Sequence, residues 1–179
     1  MSETVSKSQP SKQESGSVDP ATYRNALGSF VTGVTVVTTT LGGAPVGTTV
    51  SAFAALSLSP PLILVSLART SETLARIKRA GIFAVNILSD GQSETAARFA
   101  TTSGAGKFDG VEYSGGRNGA PVLTGAGATI ECDLEDCFSG GDHEILVGLV
   151  RNATIEGTLA PLVYFRGRFF GLADGKPEV

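Results

Sequence analysis

Apolar residues in this chain cluster in short runs cut by glycine and proline, and the spacing within each run separates strands from helices. Residues 34–41 are rich in Val and Thr and read as a strand. Gly42 and Gly43 then make a hairpin turn to a partner strand at 46–51. Pro60 and Pro61 impose extended geometry before the continuous apolar run 62–67, which reads as a buried strand. Residues 72–79 place Leu74 and Ile77 on one inward helical face, stopped by Gly81. A strand pattern returns at 82–88 and a short helix at 93–100. Three further strands follow at 129–138, 144–155 and 161–172.

Near the start, Asp19 is a good N-cap for a helix with Pro20 at its first position. Tyr23, Ala26, Leu27 and Phe30 make one apolar stripe, and the helix is expected to stop near Gly33. Six or so strands with few, short helices do not build a doubly wound sheet. The expected fold is mainly β, a Greek-key barrel closed so that no long sheet edge stays exposed. One domain over residues 19–172 accounts for the pattern. Residues 1–18, built of Ser, Lys, Gln and Glu with little to bury, and residues 173–179 read as tails.

Composition narrows the function classes. With 41% hydrophobic and 17% charged residues the chain is a folded protein, and its net charge of −3 with no basic patch argues against a nucleic-acid partner. The N-terminal stretch lacks the apolar core of a signal peptide, and no apolar run is long enough to span a bilayer, so a cytoplasmic address is expected. Cys132, Cys137 and His143 do not have metal-ligand spacing. In a regular strand 132 and 137 would face opposite sides. No strand is followed by G-x-G-x-x-G and a helix, and there is no P-loop, so any dinucleotide is held some other way.

The chemistry concentrates in residues 47–73. Thr48, Thr49, Ser51, Ala52, Ala54, Ala55 and Ser57 are small or hydroxylated, leaving backbone against which something flat can lie; Phe53 is the bulky exception. Beyond the apolar run, Ser66, Arg69, Thr70, Ser71 and Thr73 gather hydroxyls and a positive charge around a helix start. Such a start offers unpaired N–H groups and the positive end of the helix dipole to a phosphate. The same Ser71 to Leu74 run serves equally well as an ordinary cap.

This segment resembles the flavin-binding stretch of the flavin reductase-like family, short-chain reductase components that supply reduced flavin to two-component monooxygenases. The likeness extends in order along the chain. Residues 23–38 resemble the family's opening helix and first strand, and Phe83 to Leu88 a central strand. Gly141-Asp142-His143 resembles the nicotinamide-side motif, and 164–169 the closing strand. Several weak motifs in the right order are more specific than any one alone.

The resemblance implies a split β-barrel that forms homodimers with the cofactor near the subunit interface, FMN or FAD as flavin, NADH or NADPH as reductant, and a separate monooxygenase as partner. It implies that Thr48, Thr49, Val50, Ser51, Ala52 and Phe53 face the flavin ring. Ser66, Leu67, Ala68, Ser71 and Thr73 would line its phosphate arm, with Arg69 and Lys107 as charge partners. Arg98, Phe99 and Ala100 match a position beside the flavin. His143, with Gly141 and Asp142, is implied to contact the nicotinamide, and Tyr164 and Arg166 lie on the nicotinamide side. Arg166 and Arg168, read as sharing a strand face, are both candidates for a 2′-phosphate. Two other readings stay open at this level: a non-catalytic flavin-binding barrel and an oxidase of the pyridoxamine-phosphate type.

Overall fold

The computed structural model describes residues 18–102, 104–157 and 159–172. The expectations of tails over 1–17 and 173–179 lie outside the described residues. The helices are α1 (Pro20–Leu27), α2 (Glu72–Ala80) and α3 (Ser93–Thr101). The strands run β1 (Thr32–Gly33), β2 (Thr35–Leu41), β3 (Ala44–Val50), β4 (Phe53–Leu58), β5 (Pro61–Ala68), β6 (Ile82–Ile87), β7 (Tyr113–Gly115), β8 (Pro121–Leu123), β9 (Ala128–Gly140), β10 (His143–Ile155), β11 (Leu162–Phe165) and β12 (Arg168–Gly171).

Seven strands form one antiparallel sheet in the order β3-β2-β6-β9-β10-β5-β4. Its two edge strands, β3 and β4, are consecutive in the chain and joined only by Ser51 and Ala52. The sheet therefore curls until its edges meet at that bend, where the Ser66 amide donates to the Ala52 carbonyl at 3.0 Å. This is the split barrel. Inside it Val37, Val50, Val65, Leu67, Phe83 and Leu146 pack together, and α2 closes one mouth with Leu74 and Ile77. A second core lies outside the wall, where Val34, Val36, Leu88, Phe99, Phe108 and Leu162 meet. Because β2 sends neighbouring valines into different cores, it is buried on both faces, as its unbroken Val/Thr run requires.

Local signals placed several elements well. Gly42 and Gly43, at φ 62° and 80°, make the tight β2–β3 turn. Ser71 caps α2 and Gly81, at φ 71°, ends it. Other expectations need correction. α1 stops at Leu27 rather than near Gly33, because Gly28, Ser29 and Phe30 turn back onto its last carbonyls and Thr32–Gly33 are drawn into pairing with β11. None of its residues is buried, so the apolar stripe faces outward. Residues 161–172 are a hairpin and not one strand: Arg166 and Gly167 adopt φ 46° and 80°, a two-residue turn, so Arg166 and Arg168 do not share a strand face. Phe53–Leu58 forms a strand that the small-residue pattern did not suggest. In β9, Leu134 faces Gly148 and Asp136 faces Val147, which leaves Glu135 as a bulge. The extra residue cancels the odd spacing, and Cys132 and Cys137 both pack on the interior core.

Candidate functional site

The β3–β4 bend, the end of β5, the start of α2 and the β9–β10 turn come together at one mouth of the barrel. Pairing of β10 with β5 sets His143 opposite Ala68, and the Arg69 amide donates to the Asp142 carbonyl at 3.0 Å. The Gly141–Asp142 turn is thereby fastened to the segment leading into α2. A cavity of about 270 Å³ results, lined by Thr48, Thr49, Val50, Ser51, Ala52, Ser66, Leu67, Ala68, Ser71 and His143. The side chains of Val50 and Leu67 belong to the interior core, so these two residues meet the cavity from its floor.

A neighbouring cavity of about 290 Å³ shares Thr48, Ala68 and Ser71 with the first and adds Thr70, Thr73, Thr102 and Lys107. Hydroxyls and the first turn of α2 dominate here. Lys107 Nζ donates to the carbonyls of Gly47, at 2.9 Å, and Phe99, at 3.0 Å, and burial pulls its pKa below the ordinary lysine value. Even so, one ammonium proton remains beyond these two bonds. Ser51 also lines two cavities on its other side: one of about 370 Å³ with Phe30, Thr32 and Phe53, and one of about 790 Å³ with Arg24, Thr32, Tyr164 and Arg166. The four cavities thus adjoin one another through shared lining residues, a divided cleft with Ser51 at its partition.

His143 Nδ1 lies 2.8 Å from Asp142 Oδ1. The bond to His143 holds the Asp142 carboxyl below the usual carboxylate range. An ionised carboxylate can only accept, so Nδ1 is the donor in this contact, and the neutral tautomer that fits it has Nε2 as an acceptor. With its side chain 45% exposed, the ring stands at the cavity wall, not inside the core. Next along β10, the Glu144 carboxylate accepts from the Cys137 thiol at 2.8 Å and from Lys78 at 2.7 Å, which hold its pKa down. Cys132 is inert by comparison, its thiol pushed up to about 12 by burial.

The structure thus brings together most of the residues singled out in the sequence. Thr48 to Ala52, Ser66 to Ala68, Ser71, Thr73, Lys107 and His143 meet around the first two cavities, with Phe53, Tyr164 and Arg166 along the continuation. Arg69 is exposed and lines none of the four, and neither do Gly141 and Asp142, although Asp142 touches the lining residue His143. Arg98 and Ala100 are exposed on α3, away from these linings. Phe99 is fully buried, edge-on to Phe108 with ring centroids 4.9 Å apart. Its ring supports the floor from below: a Cβ on Gly47 would sit 2.9 Å from it. Arg24, Phe30 and Thr32 were not singled out as site residues. They enter through β1–β11 pairing between opposite ends of the chain, for which the sequence carries no local signal.

The flavin reductase like domain matches residues 27–173. The chain belongs to the flavin reductase-like family. Among curated relatives of this family, the reductase subunit of a flavin-dependent monooxygenase from Rhodococcus jostii is 42% identical over 159 residues, 89% of this chain and 81% of that protein. Nitrilotriacetate monooxygenase component B from Mycobacterium thermoresistibile superposes with a TM-score of 0.84 at 36% identity, covering 89% of this chain and 90% of that one. An NADH:FAD oxidoreductase from Streptomyces globisporus gives 0.82 at 37% identity, covering 88% and 98%. The family assignment makes this chain a flavin reductase, an oxidoreductase of the kind found in two-component monooxygenases, and sets aside the binding-only and oxidase readings.

Proposed function

We propose that the cleft is where a reduced nicotinamide, NADH or NADPH, and a flavin, FMN or FAD, are held face to face, with reduced flavin passed to a separate monooxygenase. One observation carries this reading: His143 lines the same cavity as Thr48 to Ala52 and Ser66 to Ala68, although it lies far along the chain from both. The donor set suits a phosphorylated ring. Ser71, Thr70, Thr73, the first amides of α2 and the remaining Lys107 proton are chemistry for an anion, and the one carboxylate of the lining, Glu72, is paired with Arg76 at 2.8 Å. The small side chains between Thr48 and Ala52 leave room for a planar group against the backbone.

When bound, the flavin supplies the hydride-accepting ring and the nicotinamide the hydride. The chain's own part is orientation. Thr48 to Ala52 form the wall for the ring, and Ser71 with Thr73 anchors the phosphate arm. His143 offers Nε2 as an acceptor for the nicotinamide carboxamide N–H; it neither gives nor takes a proton. Holding both reactants in one cleft replaces a chance encounter by a near-unimolecular step.

A homodimer accounts for apolar surface left open among the described residues, such as Leu56 and Leu58 on edge strand β4. A cytoplasmic setting agrees with two free cysteines, and no helix of the described residues is long and apolar enough to cross a membrane.

Nicotinamide oxidation measured with each pairing of NADH or NADPH with FMN or FAD tests the proposal. Turnover is expected with at least one pairing, and none with all four would overturn it. His143→Ala should lower kcat/KM for the nicotinamide about 10- to 100-fold, the equivalent of one lost hydrogen bond in a desolvated site, while flavin affinity is retained.

A further inference from the structure

The cavity of about 290 Å³ at the start of α2 holds opposite charges in balance. Among the described residues its lining carries one cation, Lys107, and one carboxylate, Glu72; its other polar side chains are the uncharged hydroxyls of Thr48, Thr70, Ser71, Thr73 and Thr102. A lining that held phosphate by charge would use guanidinium forks, and no arginine is among these residues. Hydrogen-bond donors are plentiful here, and net positive charge is not.

The pair with Arg76 leaves part of the Glu72 charge in place. Arg76 donates from Nε at 3.1 Å and from a terminal nitrogen at 2.8 Å, both to Glu72 Oε1, and Oε2 accepts no hydrogen bond among the described residues. The Glu72 side chain is 51% exposed, so this is a surface pair that water and salt weaken. Arg76 is outside the lining. The Glu72 charge reaches Lys107, whose pKa it raises against the larger lowering by burial. Other charges nearby are engaged elsewhere. Arg69, also outside the lining, acts on Lys78, Asp142 and Glu144, and Lys78 is bonded to Glu144. Asp109, two residues past Lys107, is not among the lining residues either.

Resting on the reading of the cleft given above, we infer that Glu72 selects the flavin at this cavity, favouring FAD over FMN. The two differ in what the phosphate arm presents. FMN ends in a phosphomonoester, which carries a charge of about −2 at neutral pH. In FAD the same phosphorus is linked on both sides and carries a single charge. Glu72 repels both, with about twice the energy for the first. The hydroxyls and the remaining Lys107 proton serve either phosphate alike, so the discrimination rests on the carboxylate.

The test measures Kd for FMN, FAD and riboflavin, which lacks the phosphate, in the nicotinamide-free wild type and in Glu72→Gln, Arg76→Gln and Glu94→Gln. Glu94 is an exposed carboxylate on α3 outside the lining. Values are taken at fixed ionic strength, at about pH 8 and about pH 5.5, as ratios to riboflavin, so that titration of His143 and its neighbours cancels. At the higher pH the wild type should prefer FAD. Glu72→Gln should tighten FMN about tenfold and FAD only about threefold, because the same field acts on two charges in one and on a single charge in the other. At the lower pH the FMN phosphate, whose second pKa is about 6, takes up a proton, and its gain should shrink to that of FAD. Arg76→Gln strips Glu72 of its partner and should weaken FMN more than FAD, and Glu94→Gln should change neither. A wild type that prefers FMN at the higher pH, equal shifts of FMN and FAD there, an effect of Glu94→Gln matching Glu72→Gln, or an FMN gain that persists undiminished at the lower pH would overturn the inference. A wild type that oxidises no nicotinamide with any flavin, or that binds riboflavin as tightly as FMN and FAD, defeats the underlying reading instead. An active wild type whose binding depends on the phosphate, with an indifferent Glu72→Gln variant, defeats only this one.

Discussion

The two ends of the cleft hold their cationic groups in opposite ways. At the α2 end, in a cavity of about 290 Å³, Lys107 is already bonded to the carbonyls of Gly47 and Phe99, and Ser71 Oγ accepts from the Leu74 amide. At the hairpin end the volume is about 790 Å³, and Arg24 and Arg166 are exposed and without ion pairs among the described residues. A preorganised end loses little freedom when a ligand arrives, and an open one lets a ligand come and go.

The comparison breaks first at the floor of the α2 end. Phe99→Ala should cost about 3–5 kcal/mol, because it empties the second core, and denaturant unfolding measures it. If the cost is small, the rigidity of this end has another source. Lys107→Met leaves two carbonyls without their donor and should cost about 1–3 kcal/mol, with a raised KM for FMN and an unchanged one for riboflavin, which has no phosphate. Equal effects on both would make Lys107 a staple only.

The hairpin end should separate stability from affinity. Arg166→Gly removes a left-handed non-glycine residue, worth about 1–2 kcal/mol, against the loss of its contact over Phe165, so thermal stability should hold or rise while KM for NADH increases. A fall in thermal stability with KM unchanged would make the arginine a structural residue. The smallest effect concerns pH. The Cys137 thiol and Lys78 depress the Glu144 pKa below its ordinary value of 4.5. The stabilisation is present above that value and disappears as pH falls through the lower folded one. Glu144→Gln should flatten the melting temperature against pH in that window and leave neutral-pH activity unchanged.

Much of this was legible in the chain because the signals were local. A cap and a left-handed glycine bound α2, and paired glycines turn β2 into β3. What escaped was decided by partners distant in sequence. Residues 161–172 look like one strand, and only pairing with Thr32–Gly33 and the turn at Arg166 make them a hairpin. The parity of Cys132 and Cys137 depends on a bulge at Glu135, which a repeat of two cannot reveal. Phe99 stands in a motif that resemblance sets beside the flavin, yet its ring is buried under Gly47, since α3 packs that face against the outer wall of the barrel.

By itself the sequence determined the mainly β character and the family, since each is written in neighbouring residues through periodicity, caps and ordered motifs. Only the tertiary structure decided that His143 shares a wall with Thr48 to Ala52, and that Arg24 and Tyr164 line one cavity. Those meetings follow from a sheet whose edges close at Ser51 and Ala52 and from a short strand paired across nearly the whole chain. Contacts of that kind are set by barrel closure and strand register, which no local window of residues encodes.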